Sequence, residues 1–365
     1  MGKKYLIWRL FALAVLLCVF FSCGIRTAQV KTEAGNDAAL STGPNPNLTL
    51  PGIQPLFRNP QTLPEPVPRD GPHFALIPEN PRPGEPVTIA YADNFFGSGS
   101  RELEAVLLDA KERRQARAVF FSFTRDERNR EVKTAVLAVP STANPEAMTI
   151  RIQTPGRIIM DLPLIVEKRD FDAERLHLDQ RNTDIRTAPN PQREADAAQL
   201  WNILSRTGSE VYAEGLFHPP VSSTRRTSFF GSRRIYQYVN GSTDTSIHAG
   251  VDYGVPTGTK VLACARGKVV LAKFRIVTGY SVVLEHYPGV YSLYYHLDSI
   301  NAEEGSVVET GTLLGLSGST GLATGPHLHW EIRAAGENTD PDVFLERAVL
   351  DKNLILGKID SNGNF

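Results

Sequence analysis

The sequence predicts a mainly β chain: an N-terminal β-sandwich of immunoglobulin-like architecture, a short helical connector, and a C-terminal antiparallel β domain. Three observations carry this. Short β-rich runs separated by glycines fill the last third of the chain, where helix-forming stretches are almost absent. A second set of short strands with Pro-Gly turn signals occupies residues 71–170. Between them, the stretch Glu194 to Leu204 has the helical spacing of apolar residues. The 365 residues, 41% hydrophobic and 22% charged, are enough for two domains, each with its own core. A net charge of −1 gives no basic field of the kind that nucleic acid binding needs, so no nucleic-acid partner is expected.

Residues 1–22 read as a secretion signal. Lys3, Lys4 and Arg9 precede an apolar run from Leu10 to Phe21. About twelve residues is too short to span a bilayer, which takes roughly 20. The run ends in Ser22-Cys23-Gly24, and a small residue before cysteine at this point resembles a bacterial lipoprotein lipobox, with Phe20 where that pattern has Leu. The resemblance implies cleavage before Cys23 and lipidation of Cys23, hence an exported, envelope protein held at a membrane by a lipid anchor. Cys18 would leave with the signal, so Cys264 would remain without a disulfide partner. Cys264 lies in the apolar stretch Val261–Ala265 and reads as a buried, inert thiol. Residues 23–70 are rich in Pro, Asn, Thr and Gly and read as the lipidated cysteine followed by a disordered tether.

Within 71–170, Arg82-Pro83-Gly84 is a turn signal before the strand Val87–Tyr91. Val119–Phe123 and Thr134–Val139 are further β-rich runs, with the charged stretch Arg125–Glu131 as a hairpin loop between them. Thr149–Ile152 and Ile158–Val166 add two more strands. His73, beside Pro72, reads as a surface or capping residue. Residues 171–225 form a partly helical connector. Asn190-Pro191 starts its helix, and Ala197, Leu200, Trp201 and Leu204 share one face that packs on a domain. His177 and His218 lack nearby ligand partners. In 226–350 the strands are Lys260–Ala265, Lys268–Ala272, Ser281–His286, Val290–His296, Thr312–Leu316 and His327–Ile332. Residues 351–365 read as a C-terminal tail.

The chemistry sits in two strings of this last domain, H-A-G-V-D at 248–252 and H-L-H at 327–329, with His296 between them. Imidazole and carboxylate suit Zn²⁺, and a hydrolytic zinc site takes three protein ligands and leaves a position open for water. The strings supply that set with histidines to spare, and a spare imidazole is what proton transfer requires. Alternation along a strand puts His327 and His329 on one face, with Glu331 following as an outer partner, and pairs Tyr294 with His296. Gly250 and Gly254-Val255-Pro256 argue that His248 and Asp252 meet across a loop-to-strand turn rather than on a helix. His286 reads as structural.

F-G-S-R at 230–233, H-A-G-V-D-Y-G-V-P-T-G-T at 248–259, Y-Y-H-L at 294–297 and G-S-T-G-L-A-T-G-P-H-L-H-W-E at 318–331 together resemble the M23 family of zinc metallopeptidases, the lysostaphin/LytM-like group that cuts peptidoglycan peptides. The resemblance makes 226–350 an M23-like peptidase domain. It implies His248, Asp252 and His329 as zinc ligands and His296 and His327 as the catalytic pair. The implied substrates are the stem or cross-bridge peptides of peptidoglycan. The alternative from another class is a non-catalytic wall-binding regulator that activates a second hydrolase; the five intact positions separate the two.

Overall fold

The computed structural model describes residues 74–92, 103–145 and 147–362. The expected signal peptide, Cys23, the tether and His73 lie outside the described residues. The chain opens with eight strands: β1 (Ala75–Ile77), β2 (Pro86–Ala92), β3 (Glu104–Leu108), β4 (Arg114–Val119), β5 (Phe121–Arg125), β6 (Glu131–Ala138), β7 (Ala147–Thr154) and β8 (Arg157–Ile165). They form two four-stranded antiparallel sheets, ordered β1-β2-β6-β5 and β4-β3-β7-β8. Ile89, Tyr91, Ala135 and Leu137 of the first face Ala105, Leu107, Ile150 and Leu164 of the second across one core. Tyr91 closes an end of it, 4.9 Å from Phe74 and 5.3 Å from Phe120, centroid to centroid.

The alternate residues of the first sheet do not face water. Ala90, Phe121, Val132, Val136 and Ala138 pack into the core of the C-terminal domain. Beyond the core that the two sheets share, the first sheet is therefore buried on its other side as well. The sequence carries the reason: β6 reads Ala135-Val136-Leu137-Ala138 with no polar residue at alternate positions, the pattern of a strand covered on both faces. Polar bonds lock the joint. Thr88 Oγ1 donates to Val349 O (2.6 Å), Thr339 Oγ1 to Gly84 O (2.8 Å), and Arg169 pairs with Asp340 (2.5 Å).

The connector begins with β9 (Ala173–His177), followed by α1 (Gln180–Thr187) and α2 (Pro191–Leu204). Helix α2 starts where the sequence places it: Asn190 Oδ1 accepts from Gln192 N (2.9 Å) and Arg193 N (3.1 Å), with Pro191 at the first turn. Its packing face differs from the expected one. Leu200, Ile203 and Leu204 bury against the sheet, while Trp201 is 52% exposed. Helix α1 was not expected, because Q-R-N-T-D-I-R-T holds one large apolar residue and so has no periodicity to read.

The C-terminal domain comprises β10 (Arg226–Ser228), β11 (Arg233–Gln237), β12 (Thr243–Ile247), β13 (Val251–Tyr253), β14 (Lys260–Leu262), β15 (Gly267–Arg275), β16 (Gly279–Tyr287), β17 (Val290–Ile300), β18 (Val307–Val308), β19 (Leu313–Ser317), β20 (Leu328–Ala334) and β21 (Glu337–Thr339). Its main sheet runs β10-β13-β20-β17-β16-β15-β18, and β11 sits between β12 and the connector's β9 in a separate three-stranded sheet. One face of the main sheet carries Tyr253, Trp330, Tyr294 and Leu284 into the shared core; the other carries Leu271, Val283, Tyr291 and Leu293 under α2. Two helices close the chain, α3 (Pro341–Glu346) and α4 (Lys352–Asn362). The expected C-terminal tail is mostly α4, whose Ile355 and Ile359 are one helical turn apart and buried in the shared core. Gly357 in its middle weakens the local helical signal, which is why the stretch reads as a tail.

Cys264 is fully buried, and burial pushes its thiol up to about 12. A thiol-specific reagent at pH 8 should leave the folded protein unlabelled and modify Cys264 after denaturation; rapid labelling of the native chain would contradict this burial. Removing residues 1–170 would uncover the C-terminal domain's share of the common core. Each large apolar side chain so exposed loses about 1.5–3 kcal/mol. The truncated chain should be insoluble or melt well below the parent, checked by circular dichroism and light scattering.

Candidate metal centre

The site is assembled by strand register. In the antiparallel pair β13–β20, Asp252 lies directly opposite His329, while the flanking pairs Val251–Trp330 and Tyr253–Leu328 point into the core. In the next pair, β17–β20, Tyr295 lies opposite His329. One face of three neighbouring strands therefore carries Asp252, His329 and Tyr295 in a row, and the Tyr295 ring stacks on His329 at 5.6 Å with an interplanar angle of 4°. His248 comes from the turn before β13. That turn presses on β20 so closely that a Cβ on Gly250 would sit 2.2 Å from Trp330 O.

His296 reaches the same face by a different device. Alternation pairs it with Tyr294, but Tyr294 is buried on the opposite side, its hydroxyl accepting from Cys264 N (3.0 Å). The register between β16 and β17 slips between Val282↔Tyr294 and Tyr280↔Leu297, two residues on one strand against three on the other. His296 takes up the extra residue in the left-handed region, φ 61°. Its ring thereby turns to the Tyr295 side and lies 4.7 Å from His327 and 6.1 Å from His329. A strained backbone at a histidine lining a site is the kind of conformation that persists only where its surroundings hold it. Here they do: His296 N donates to Thr278 O (2.8 Å) and Nδ1 bonds Thr320 O (2.7 Å).

Three donor atoms converge: His248 Nε2, Asp252 Oδ1 and His329 Nδ1, at 3.1, 3.0 and 2.7 Å for the His248–Asp252, His248–His329 and His329–Asp252 pairs. They form the one His/Asp group with metal-ligand geometry among the described residues. The hydrogen bonds behind them fix the tautomers. His248 Nδ1 lies 2.8 Å from the carbonyl of Phe229, which only accepts, so Nδ1 holds the proton and Nε2 presents a lone pair. His329 Nε2 lies 3.1 Å from Glu331 Oε1, which likewise leaves a lone pair on Nδ1. Two imidazole lone pairs and a carboxylate oxygen crowded together repel one another unless a cation sits among them, and the set therefore fits a metal. A proton is the competing cation. Burial alone would lower His329, but Asp252 and Glu331 raise it to about 9. A metal bound there would displace that proton. Burial would raise Asp252, yet His248 and His329 hold its carboxyl well below the usual range.

His327, just before β20, bonds Gly325 O through Nδ1 (2.8 Å) and points Nε2 toward Asp252 Oδ1 at 3.8 Å. Burial lowers both spare histidines, His296 to about 3 with His327 and His329 adding to the effect, so each is neutral. All five expected residues are thus within one cluster, and Glu331 takes the outer position that strand alternation assigns it. It also accepts from Arg333 Nε (3.1 Å) and Asn338 Nδ2 (3.2 Å). His286 is buried and structural, bonded to Arg266 O (2.9 Å) and Ser292 Oγ (2.7 Å). His177 and His218 do not join the cluster.

The residue that sequence reasoning missed is Arg234. Its guanidinium donates to Asp252 Oδ2 (2.7 Å) and Ser228 Oγ (2.8 Å), so Asp252 presents only Oδ1 to the ligand set. The F-G-S-R string draws attention to Arg233 instead. Consecutive residues of β11 point to opposite faces, and Arg233 goes to the Phe171 ring (4.5 Å) and Ser141 O (2.7 Å). The Arg233-Arg234 doublet on a strand was the available signal. Glu174 of β9, bonded to Ser228 Oγ, brings the connector into the same network.

One imidazole and one carboxylate on neighbouring strands and a second imidazole from the adjoining turn, with two more neutral imidazoles alongside, are the donor chemistry of a hydrolytic metal centre. Residues 246–341 match Peptidase family M23, and the chain carries an M23 peptidase domain. The DD-carboxypeptidase/endopeptidase Mpg of Neisseria meningitidis serogroup B is 36% identical over 135 residues, 37% of this chain and 30% of that protein. The peptidoglycan DD-endopeptidase ShyA of Vibrio cholerae is 35% identical over 119 residues, 33% of this chain and 27% of that one. The matches span less than a third of the length of these curated relatives. Among solved structures, lysostaphin from Staphylococcus simulans is 34% identical, covering 27% of this chain and 44% of that one with a TM-score of 0.26.

Arg234→Ala should leave the fold intact and weaken metal binding about 10–100-fold, the usual cost of losing an outer partner of a ligand. Competition with a chromophoric chelator measures this; an unchanged affinity would show that Asp252 needs no second cation to hold it.

Proposed function

We propose that the protein is a zinc-dependent endopeptidase that hydrolyses peptide cross-links of bacterial peptidoglycan, at bonds of the DD type that its relatives' names specify. The observation that carries this reading is the pair of neutral imidazoles beside the three-donor set. A site meant only to hold a metal has no use for them, and a closed structural zinc site favours four ligands and cysteines. His248 Nε2, Asp252 Oδ1 and His329 Nδ1 would hold zinc, which supplies Lewis acidity toward the scissile carbonyl and acidifies water.

The chain's own residues do the rest. His296 and His327 each spend Nδ1–H on a backbone carbonyl, Thr320 O and Gly325 O, leaving an Nε2 lone pair as proton acceptor. One of them takes the proton of the attacking water. It then presents an N–H to the oxyanion and returns the proton to the leaving amine. The carbonyl behind each ring stabilises the imidazolium that forms. The Arg333–Glu331–His329 chain keeps the His329 ring oriented, and Arg234 does the same for Asp252.

Export and attachment to a membrane through lipidated Cys23 complete the proposal and would put the enzyme beside its substrate. No helix of the described residues is long and apolar enough to cross a membrane. The regulator alternative is disfavoured by the retention of all five positions.

The purified chain should release peptides from peptidoglycan in a zinc-dependent, chelator-sensitive manner, read by mass spectrometry. His296→Ala and His327→Ala should each lower turnover about 10²–10⁴-fold while keeping one zinc per chain. Undiminished digestion by the zinc-loaded double variant would sink the mechanism, and zinc binding without cleavage by the parent would favour the regulator.

A further inference from the structure

Behind the three ligands lies a layer of charged groups. Arg234 donates to Asp252 Oδ2 (2.7 Å) and offsets the charge of the ligand carboxylate, as Arg333 offsets Glu331 (3.1 Å) behind His329. A third acid, Glu174, belongs to neither pair. It comes from β9 of the connector, which precedes every ligand in the chain. In the parallel pair β9–β11, Glu174 lies opposite Arg234, so both side chains leave the sheet on the same side. In the antiparallel pair β10–β13, Ser228 lies opposite Asp252. Register therefore gathers Glu174, Arg234, Ser228 and Asp252 around one point.

The buried Ser228 hydroxyl uses its full hydrogen-bonding capacity there. It has one proton, and the Glu174 carboxylate only accepts, so Ser228 donates to Glu174 Oε1. Both lone pairs of Oγ are then left for donors. Arg234 Nη2 takes one (2.8 Å) and His248 Nδ1 the other (2.9 Å). The proton on His248 Nδ1 is thus shared between Ser228 Oγ and Phe229 O (2.8 Å), and Nε2 keeps the lone pair that faces Asp252 and His329. Without Glu174, the partner of Ser228 Oγ able to take its proton would be His248 Nδ1 in the other tautomer. That tautomer puts an N–H, not a lone pair, into the ligand set. Charge points the same way. Asp252 and Glu331 are each matched by a guanidinium, and Glu174 leaves the five groups net negative, which favours a bound cation. Arg234 Nε, 3.6 Å from Glu174 Oε1 and without a hydrogen bond, senses that carboxylate through charge.

We propose that Glu174 is a positioning residue of the metal centre: acting through the Ser228 hydroxyl, it holds His248 in the tautomer that binds metal. The proposal rests on the metal-centre reading of this site and adds the connector to it. A carboxylate behind a ligating imidazole fixes its ring and raises its basicity, and here one hydroxyl extends the link.

Metal affinity of the full chain tests this, by competition with a chromophoric chelator for zinc and by the visible absorption of the cobalt-loaded protein. Glu174→Ala should weaken zinc binding about 10–100-fold and alter the cobalt spectrum. Glu174→Gln keeps an acceptor oxygen but loses the charge, and should lose affinity to a smaller, measurable degree. Ser228→Ala should lose as much as Glu174→Ala. The double variant should fall no more than about twofold below either, because both changes cut the same relay. Arg175→Ala, the next residue of β9 and exposed on its opposite face, should bind as the parent does. Parental affinity in Glu174→Ala, or losses that multiply in the double variant, would overturn the proposal. So would an equal loss in Arg175→Ala, which would mark a general loosening of β9. If Glu174→Ala fails to fold by circular dichroism, the isosteric Glu174→Gln decides alone, and parental affinity there overturns the proposal. A parent that takes up no zinc overturns the metal reading and the proposal together. A parent that binds zinc, shows these losses and leaves peptidoglycan intact overturns the peptidase reading and leaves the role of Glu174 standing.

Discussion

The structure depends on one carboxylate. Asp252 lies opposite His329 in an antiparallel pair, Oδ1 facing two imidazole nitrogens and Oδ2 facing Arg234. Between opposite residues of neighbouring strands the side chains stand about 5 Å apart, a span that brings two ligand atoms within reach of one ion. Because the pair is set by backbone register, moving it by one residue would exchange Asp252 and His329 for the core residues on either side. The buried Trp330 and Tyr253 forbid that slip, since each would have to enter the site face. Ligand geometry is thus enforced by the hydrophobic core rather than by the ligands themselves. The shared core reaches further: the sandwich sheet that covers it with Phe121 and Val136 is part of what pins the register of β20.

This explains what was legible in the sequence and what was not. The ligand strings were readable because period-two alternation and a glycine-marked turn are local. His327, His329 and Glu331 fall on one face by counting, and Gly250 announces the close approach that brings His248 in. Counting failed at His296. A bulge is invisible to a periodicity argument, and nothing near Tyr294-Tyr295-His296 marks the left-handed residue, since no glycine is there to signal it. Arg234 was missed for a related cause: a strand of polar residues, Arg233 to Gln237, has no apolar face from which to tell inside from outside. The burial of one sandwich sheet on both sides was not legible, because whether an apolar strand face meets its own sheet partner or another part of the chain is decided by tertiary contacts. Helices α1 and α4 lacked amphipathic signal and emerge from packing and capping.

The bulge also connects the metal centre to a cavity of about 240 Å³ beside it, between α2 and the sheet. The tip between β15 and β16 supplies Thr278, whose carbonyl accepts from His296 N and whose hydroxyl accepts from Arg275. Gly279 follows with φ 64°, where a Cβ would meet Thr320 Oγ1 at 2.1 Å, and the carbonyl of Thr320 holds the His296 ring. One hairpin tip therefore fixes both the His296 imidazole and the guanidinium that lines the neighbouring cavity. Side chains supported by the same few backbone atoms cannot drift apart. The left-handed conformation at His296 costs about 1 kcal/mol or more, and its hydrogen bonds to Thr278 and Thr320 offset that cost. Straightening the bulge would relieve the strain, but it would also return His296 to the core face beside Tyr294 and leave the site with a single spare imidazole. The strain at this residue is therefore best understood as the consequence of placing two neutral histidines beside three ligands on a sheet whose alternation provides room for only one.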